Sequence, residues 1–82
     1  MTYTMNAVLI RRNGTPITIP YFSGRFRDAA ERIVHQYDLS VEDSQRSPAL
    51  KVEVIYLAVD GCLNRYRIED LRAELAWPTV GA

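Results

Sequence analysis

The sequence VLIRRNGTPITIPY, residues 8–21, places the dipeptide Asn13-Gly14 between two segments rich in Ile, Val, Thr and Tyr. Asn and Gly tolerate the positive φ angles of a tight turn, and the flanking residue types favour extended strands. The stretch therefore predicts a β-hairpin, with strands over residues 3–12 and 15–21.

The pairing of these strands depends on the length of the loop. A two-residue loop pairs Ile10 with Ile17, a three-residue loop pairs Leu9 with Ile17, and both registers give an apolar face. In either register the amide positions of residues 16 and 20 point away from the first strand, and both residues are proline. Because proline donates no hydrogen bond, the second strand is predicted to lie at a sheet edge. Dimerisation through that strand is disfavoured, and a dimer through another edge stays open.

A second hairpin is predicted where Asp60-Gly61 separates two more apolar segments. Its strands cover residues 50–59 and 62–68. A three-residue loop is preferred, because it sets Glu53 opposite Arg67, a pair of opposite charge, and likewise Lys51 opposite Glu69. This register places one apolar set on the face that is expected to pack on a helix: Leu50, Val52, Val54, Tyr56, Tyr66 and Ile68.

Between the hairpins, residues 25–38 carry apolar side chains at steps of three and four, which is typical of an amphipathic helix. The stripe consists of Phe26, Ala29, Ala30, Ile33, Val34 and Tyr37. Ser23 is a candidate N-cap. Residues 39–49 lack a period and predict a loop, in which a helical turn over residues 40–43 stays open, and a short closing helix is predicted over residues 69–76.

Size and pattern together predict the fold class. The chain has 82 residues, 48% of them hydrophobic and 24% charged, which indicates a single domain over residues 1–82. The expected fold is α+β, a small antiparallel sheet in ββαββ order with one main helix packed on a face and a short C-terminal helix. The tail from about residue 78 is expected to fray.

Without a secretion signal or a membrane-spanning run, and with one cysteine, a cytoplasmic location is expected and no membrane partner.

Charge suggests where a partner would bind. Ten basic and ten acidic residues cancel, which argues against bulk attraction to nucleic acid. Up to Tyr37, however, five arginines face two acids, and from Asp38 onward five basic residues face eight acids. Because arginine pairs with carboxylates and phosphates in fork geometry, the five arginines of the first half form the candidate contact surface. They are Arg11, Arg12, Arg25, Arg27 and Arg32.

Groups suited to catalysis are few. His35 has no Cys or second His near it in sequence, so a metal site is not expected, and Cys62 is expected to be a small buried or half-buried side chain. No catalytic residue and no cofactor is predicted, and the protein is not expected to be an enzyme. Trp77, the only tryptophan, either closes the core or anchors a partner, and it joins the candidate partner-binding residues.

In its layout of hairpin, single helix and hairpin, the chain resembles small phage and mobile-element proteins, including some anti-CRISPR proteins. The resemblance implies a protein without cofactors that binds a bacterial CRISPR effector complex in the host cytoplasm and blocks guide-directed DNA recognition. Many inhibitors that imitate DNA are strongly acidic, whereas this chain is neutral. Its arginines would therefore engage acidic protein or bound nucleic acid.

The leading hypothesis is a small macromolecule-binding protein that masks a surface of a host protein or a protein–nucleic acid complex, as a monomer or a small homo-oligomer. The alternative is a small nucleic-acid-binding protein that uses the Arg-rich helix face against phosphates. Salt dependence of binding to bare nucleic acid separates the two.

Overall fold

The computed structural model describes residues 1–76 and contains a four-stranded antiparallel sheet with two α-helices. In chain order the elements are β1 (Tyr3–Arg11), β2 (Pro16–Gly24), α1 (Phe26–Arg46), a short 3₁₀ helix (Pro48–Leu50), β3 (Val52–Val59), β4 (Cys62–Tyr66) and α2 (Ile68–Ala76). The strand order is β2-β1-β3-β4. The predicted α+β fold and its ββαββ order are confirmed, and both hairpins share one sheet. The predicted tail and Trp77 lie outside the described residues.

The first hairpin takes the three-residue register. Leu9 pairs with Ile17, and the amide of Gly14 donates to the carbonyl of Arg11 at 2.8 Å. Gly14 has a φ of 88°, which explains why glycine occupies the last position of the loop. β2 lies at one edge of the sheet, as its two prolines predicted.

The second hairpin differs from its predicted register by one residue. Val59 pairs with Cys62 around a two-residue turn. Asp60 and Gly61 have φ angles of 49° and 82°, the type I′ geometry whose twist matches that of the flanking strands. The three-residue loop was therefore wrong, and the predicted charge pairs across it do not form. Glu53 lies instead beside Arg12, with 3.4 Å between Oε2 and Nε.

The register also corrects which face of β3 packs on the helices. Ile55 and Leu57 are the buried residues, whereas Val54 and Tyr56, predicted to face the helix, are on the opposite side. Val52 returns to the buried side because the pairing with β1 shifts by one residue there. Burying this apolar set outweighs the exposed charge pairs that favoured the other register, because such pairs stabilise by only about 0.2–1 kcal/mol.

α1 confirms the predicted apolar stripe but is longer than predicted. Ala29, Ala30 and Ile33 are buried, and the helix continues through 21 residues to Arg46. The segment predicted as a loop is helical over residues 39–46, and within it the hydroxyl of Ser40 donates to the carbonyl of Tyr37 at 3.0 Å. The helix ends at Arg46. The next residue, Ser47, has an extended backbone because it precedes Pro48, and proline disfavours the helical conformation in the residue before it.

The start of α1 shows a different cap from the one predicted. Arg25 is the N-cap residue, and its backbone N–H donates to Oδ2 of Asp28 at 2.8 Å. Ser23 is part of β2, so it is not the cap. Gly24 is close to the capping carboxylate, because a Cβ at this position would lie 2.8 Å from Oδ2 of Asp28. The carboxylate and the glycine together form the connection between sheet and helix.

We expect Asp28→Ala to lower the free energy of unfolding by about 1 kcal/mol, because it removes the acceptor of the cap and a negative charge in the first helical turn. Ser23→Ala, the matched control, should lower it by less than about 0.5 kcal/mol. Urea denaturation followed by circular dichroism measures both values. A larger loss for the serine variant would contradict this assignment of the cap.

The core lies between one face of the sheet and both helices. Side chains from β1, β2, β3, α1 and α2 form one buried cluster, and its largest fully buried apolar members are Met5, Leu9, Ile33, Leu57 and Leu71. On the other face of the sheet, Val8, Ile10, Val54 and Tyr56 are only half-buried and do not join this cluster. Within residues 1–76 the fold therefore has two layers, with the helices on one side.

Candidate macromolecular interface

The five arginines of the predicted contact surface are spread over the molecule. Tyr3 pairs with Gly24 at one end of the sheet, beside Arg25, whereas Ile10 pairs with Pro16 at the other end, beside Arg11. The nine residues of β1 span about 26 Å between these ends. The structure does not bring the five arginines together into a single patch.

Arg11 and Arg12 make contacts close to the first hairpin. Nη1 of Arg11 donates to Oγ1 of Thr15 at 3.0 Å, and its buried Nε has no hydrogen-bond partner among the described residues. Arg12 is engaged by the Glu53 carboxylate, and each of these two side chains is about half exposed. Both arginines lie at the end of the sheet remote from the start of α1.

Arg27 binds the end of the second helix. Its Nη1 donates to the carbonyl of Glu74 at 3.0 Å, and its Nη2 donates to the carbonyl of Leu75 at 3.2 Å. The Glu31 carboxylate lies 3.8 Å from Nε. Because the last carbonyls of a helix carry partial negative charge and lack intrahelical partners, a cation there both caps and stabilises the helix. Arg27 therefore links α1 to α2.

Arg25 and Arg32 remain exposed, Arg25 at the N-cap of α1 and Arg32 within the helix. Arg32 is seven positions after Arg25, which places it about two turns and about 10 Å further along the helix axis. The guanidinium carbon of Arg32 lies 4.2 Å from the ring centroid of Phe22, a cation–π contact. No acidic side chain in the described part of the chain lies within ion-pairing distance of either arginine. Their charges are thus available to an external group.

A shallow groove runs beside Arg32, between α1 and the edge strand β2. It has a volume of about 180 Å³ and is lined by Thr18, Ile19, Pro20, Arg32, His35 and Gln36. Typical ligand pockets enclose about 300–1,000 Å³, so the groove suits a side chain of a partner better than a whole cofactor. We call the groove together with Arg25 and Phe22 the α1–β2 surface.

Sequence reasoning found only the two arginines of this surface. Phe22 sits on the strand next to α1 and could have been recognised as apolar, but no pattern relates it to Arg32, ten residues away on another element. Pro20 was recognised as an edge marker and not as the wall of a groove. The contacts that build the surface arise from packing of the helix on the sheet.

The other groups considered for chemistry are on the outside. Cys62 is a free, exposed cysteine, which corrects the expectation of a buried or half-buried side chain. It begins β4, an edge strand whose first four residues are all exposed. His35 is exposed on α1. Across residues 1–76, no three His, Cys, Asp or Glu side chains are grouped to hold a metal ion.

A second charged contact joins the two helices. Nη2 of Arg72 donates to Oδ1 of Asp38 at 2.6 Å, and this hydrogen bond raises the pKa of Arg72 above its ordinary value.

Neither of the described helices has the length and hydropathy needed to cross a bilayer. No family model matches the chain, and no curated protein or solved structure is significantly similar to it.

Proposed function

We propose that this protein binds another macromolecule through the α1–β2 surface and masks an acidic region of that partner. The observation that carries the proposal is the pair of exposed guanidinium groups of Arg25, at the N-cap of α1, and Arg32, in its second turn, which have no acidic partner within the described chain. An acidic protein surface or a protein–nucleic acid complex supplies the complementary charge.

The position of Arg32 supports this role. Its guanidinium group stacks on Phe22, which restricts the side chain before any partner binds. A restricted side chain loses less conformational entropy on binding, so more of the contact energy contributes to affinity. The neighbouring groove offers a place for an uncharged side chain of the partner next to the charge pair. Arginine is enriched at protein interfaces relative to the rest of the surface.

For the partner itself we propose a CRISPR effector complex in the host cytoplasm, which the layout of the chain suggests. Such a complex presents both acidic side chains and the phosphates of its bound guide. Arginine forks fit either group. In this proposal the protein blocks DNA recognition by occupying the surface, and no reaction takes place.

Reversing the two charges should weaken this binding strongly. We expect the double variant Arg25→Glu/Arg32→Glu to raise the dissociation constant for a purified, guide-loaded effector complex about 20-fold, because each attraction becomes a repulsion. The matched control, Arg46→Glu/Arg67→Glu, changes the net charge equally at two exposed sites away from this surface. It should change the constant less than about threefold. Biolayer interferometry measures both constants, with circular dichroism to confirm folding.

Two outcomes of that measurement contradict the proposal. Equal weakening by both double variants would mean that only net charge matters. If the wild-type protein bound no effector complex, the proposal that such a complex is the partner would be wrong. The two double variants would then be compared in the same way for binding to other acidic proteins.

The second candidate function is direct binding of nucleic acid by the same two arginines, since phosphates fit the unpaired guanidinium groups as well as carboxylates do. Two phosphate contacts predict that the logarithm of the binding constant falls with the logarithm of salt concentration with a slope of about −1.4 to −1.8. Fluorescence anisotropy with labelled duplex DNA and single-stranded RNA at low salt tests this directly. No binding to either probe would exclude this candidate.

A further inference from the structure

The two edges of the sheet differ in how they are protected. At the β2 edge, the outward amide positions alternate along the strand, and Pro16 and Pro20 occupy two of them. Thr18 between them keeps an outward N–H. Proline at an edge strand prevents pairing with a further strand. β4, at the opposite edge, contains no proline.

The turn that precedes β4 determines which of its backbone groups point outward. Val59 and Cys62 close a two-residue turn, so they form a hydrogen-bonded pair. Pairing alternates along the ladder, and therefore residues 64 and 66 also bond to β3. The N–H and C=O groups of Leu63 and Arg65 then point away from the sheet.

The described elements leave this edge accessible. The first four residues of β4 are exposed, which includes side chains on both faces of the strand, and Leu63 is 63% exposed. After Tyr66 the chain turns into α2, whose Leu71 is buried in the core. An accessible edge strand with an exposed apolar side chain is a site where another strand can add.

We propose that the occupant of this edge is β4 of a second copy of the protein, paired antiparallel about a two-fold axis at Asn64. In that register Leu63 lies opposite Arg65 of the second copy, and Arg65 lies opposite Leu63 of the second copy. Each of these residues presents one outward donor and one outward acceptor, so the two strands form four hydrogen bonds. The edge is therefore complementary to itself, which is what a two-fold interface requires.

Charge and topology agree with a second copy as the occupant. The formal net charge of the chain is 0, so two copies do not repel each other as wholes. Pairing through β4 produces an eight-stranded sheet whose two outer strands are the proline-bearing β2 strands, so growth stops at the dimer. This inference does not depend on the proposed acidic partner, because the α1–β2 surface lies at the other edge of the sheet.

Proline substitutions on the two edges provide a matched test by sedimentation analysis at concentrations up to about 1 mM. We expect Arg65→Pro to raise the dimer dissociation constant about 30-fold or more, because it removes two of the four hydrogen bonds. It leaves the pairing of β4 with β3 intact, since this N–H points outward. Thr18→Pro removes an outward N–H from the other edge and should leave the constant unchanged. A wild-type protein that stays monomeric throughout, or equal effects of the two prolines, would overturn the proposal.

Disulfide cross-linking tests the register without relying on proline. Asn64 lies on the two-fold axis in a pair that makes no hydrogen bonds, where Cα atoms are about 4.5 Å apart, within the range of a disulfide. Under mild oxidation, Cys62→Ser/Asn64→Cys should give a covalent dimer on non-reducing gels, whereas Cys62→Ser/Thr18→Cys should not. Absence of the first dimer, or equal yields from both variants, would show that β4 does not pair in this way.

Discussion

Leu71→Ala should lower the free energy of unfolding by about 3 kcal/mol. Leu71 is the buried residue of α2, with 0% of its surface exposed, and it contributes to the same core cluster as Ile33 and Leu57. Truncation removes three heavy atoms from packed surroundings and leaves a cavity. For a domain of this size, such a loss is a large part of the total stability. Urea denaturation followed by circular dichroism at fixed protein concentration measures it.

The matched control for this variant is Leu39→Ala. Leu39 is on α1 with 43% of its surface exposed, so the same truncation should cost less than about 1 kcal/mol. Hydrogen exchange adds a local measurement, because amides of α2 should lose protection in Leu71→Ala before those of the central strands. Similar losses in the two leucine variants would contradict the position of α2 in the core.

Arg27→Met should lower the free energy of unfolding by about 2–3 kcal/mol. Methionine keeps much of the aliphatic length but cannot donate to the carbonyls of Glu74 and Leu75, which would lose a charged donor at the end of α2. The side chain is 35% exposed, which weakens its ion pair with Glu31, so that pair adds little to the loss. Thermal and urea denaturation give the change in stability.

Arg25→Met is the matched control for Arg27→Met. Arg25 begins the same helix but has an exposed side chain without an ion pair in the described residues, so its stability change should stay within about 0.5 kcal/mol. The two variants separate a structural arginine from one available for binding: only Arg25→Met should affect affinity for a partner without affecting stability. Equal stability losses would contradict that separation.

The elements of the fold were predictable because their signals are local. The apolar stripe of α1 repeats at helical spacing, and Asn13-Gly14 and Asp60-Gly61 mark turns through their backbone preferences. The two prolines of β2 predicted its edge position, because a proline cannot donate a backbone hydrogen bond to a neighbouring strand, whatever the rest of the fold.

The errors arose where competing energies had to be compared. Exposed charge pairs favoured one register of the second hairpin, while burial of Ile55 and Leu57 required the other. The C-terminal half of α1 carries no apolar stripe, and its serines and acidic residues are compatible with a loop as well as with a polar helix. Neither balance can be read from spacing alone.

The candidate site, like the fold, could be predicted from the sequence only in part. Five arginines in the first half of the sequence predicted one contact surface, but chain proximity does not imply that side chains share a face. Folding directs Arg27 to the end of α2 across 47 residues and leaves Arg25 and Arg32 exposed. The groove and the stacking of Arg32 on Phe22 exist only once the helix packs on β2.

For this protein the sequence alone determined which segments are strands, which segment is the main helix, and which strand cannot be extended. These properties depend on backbone preferences and side-chain periodicity, which act over a few residues. The tertiary structure decided which arginines are engaged and which are available, and which edge of the sheet is left open. Those properties depend on contacts between residues far apart in the chain, whose energies are set by burial and by the partners that folding brings near.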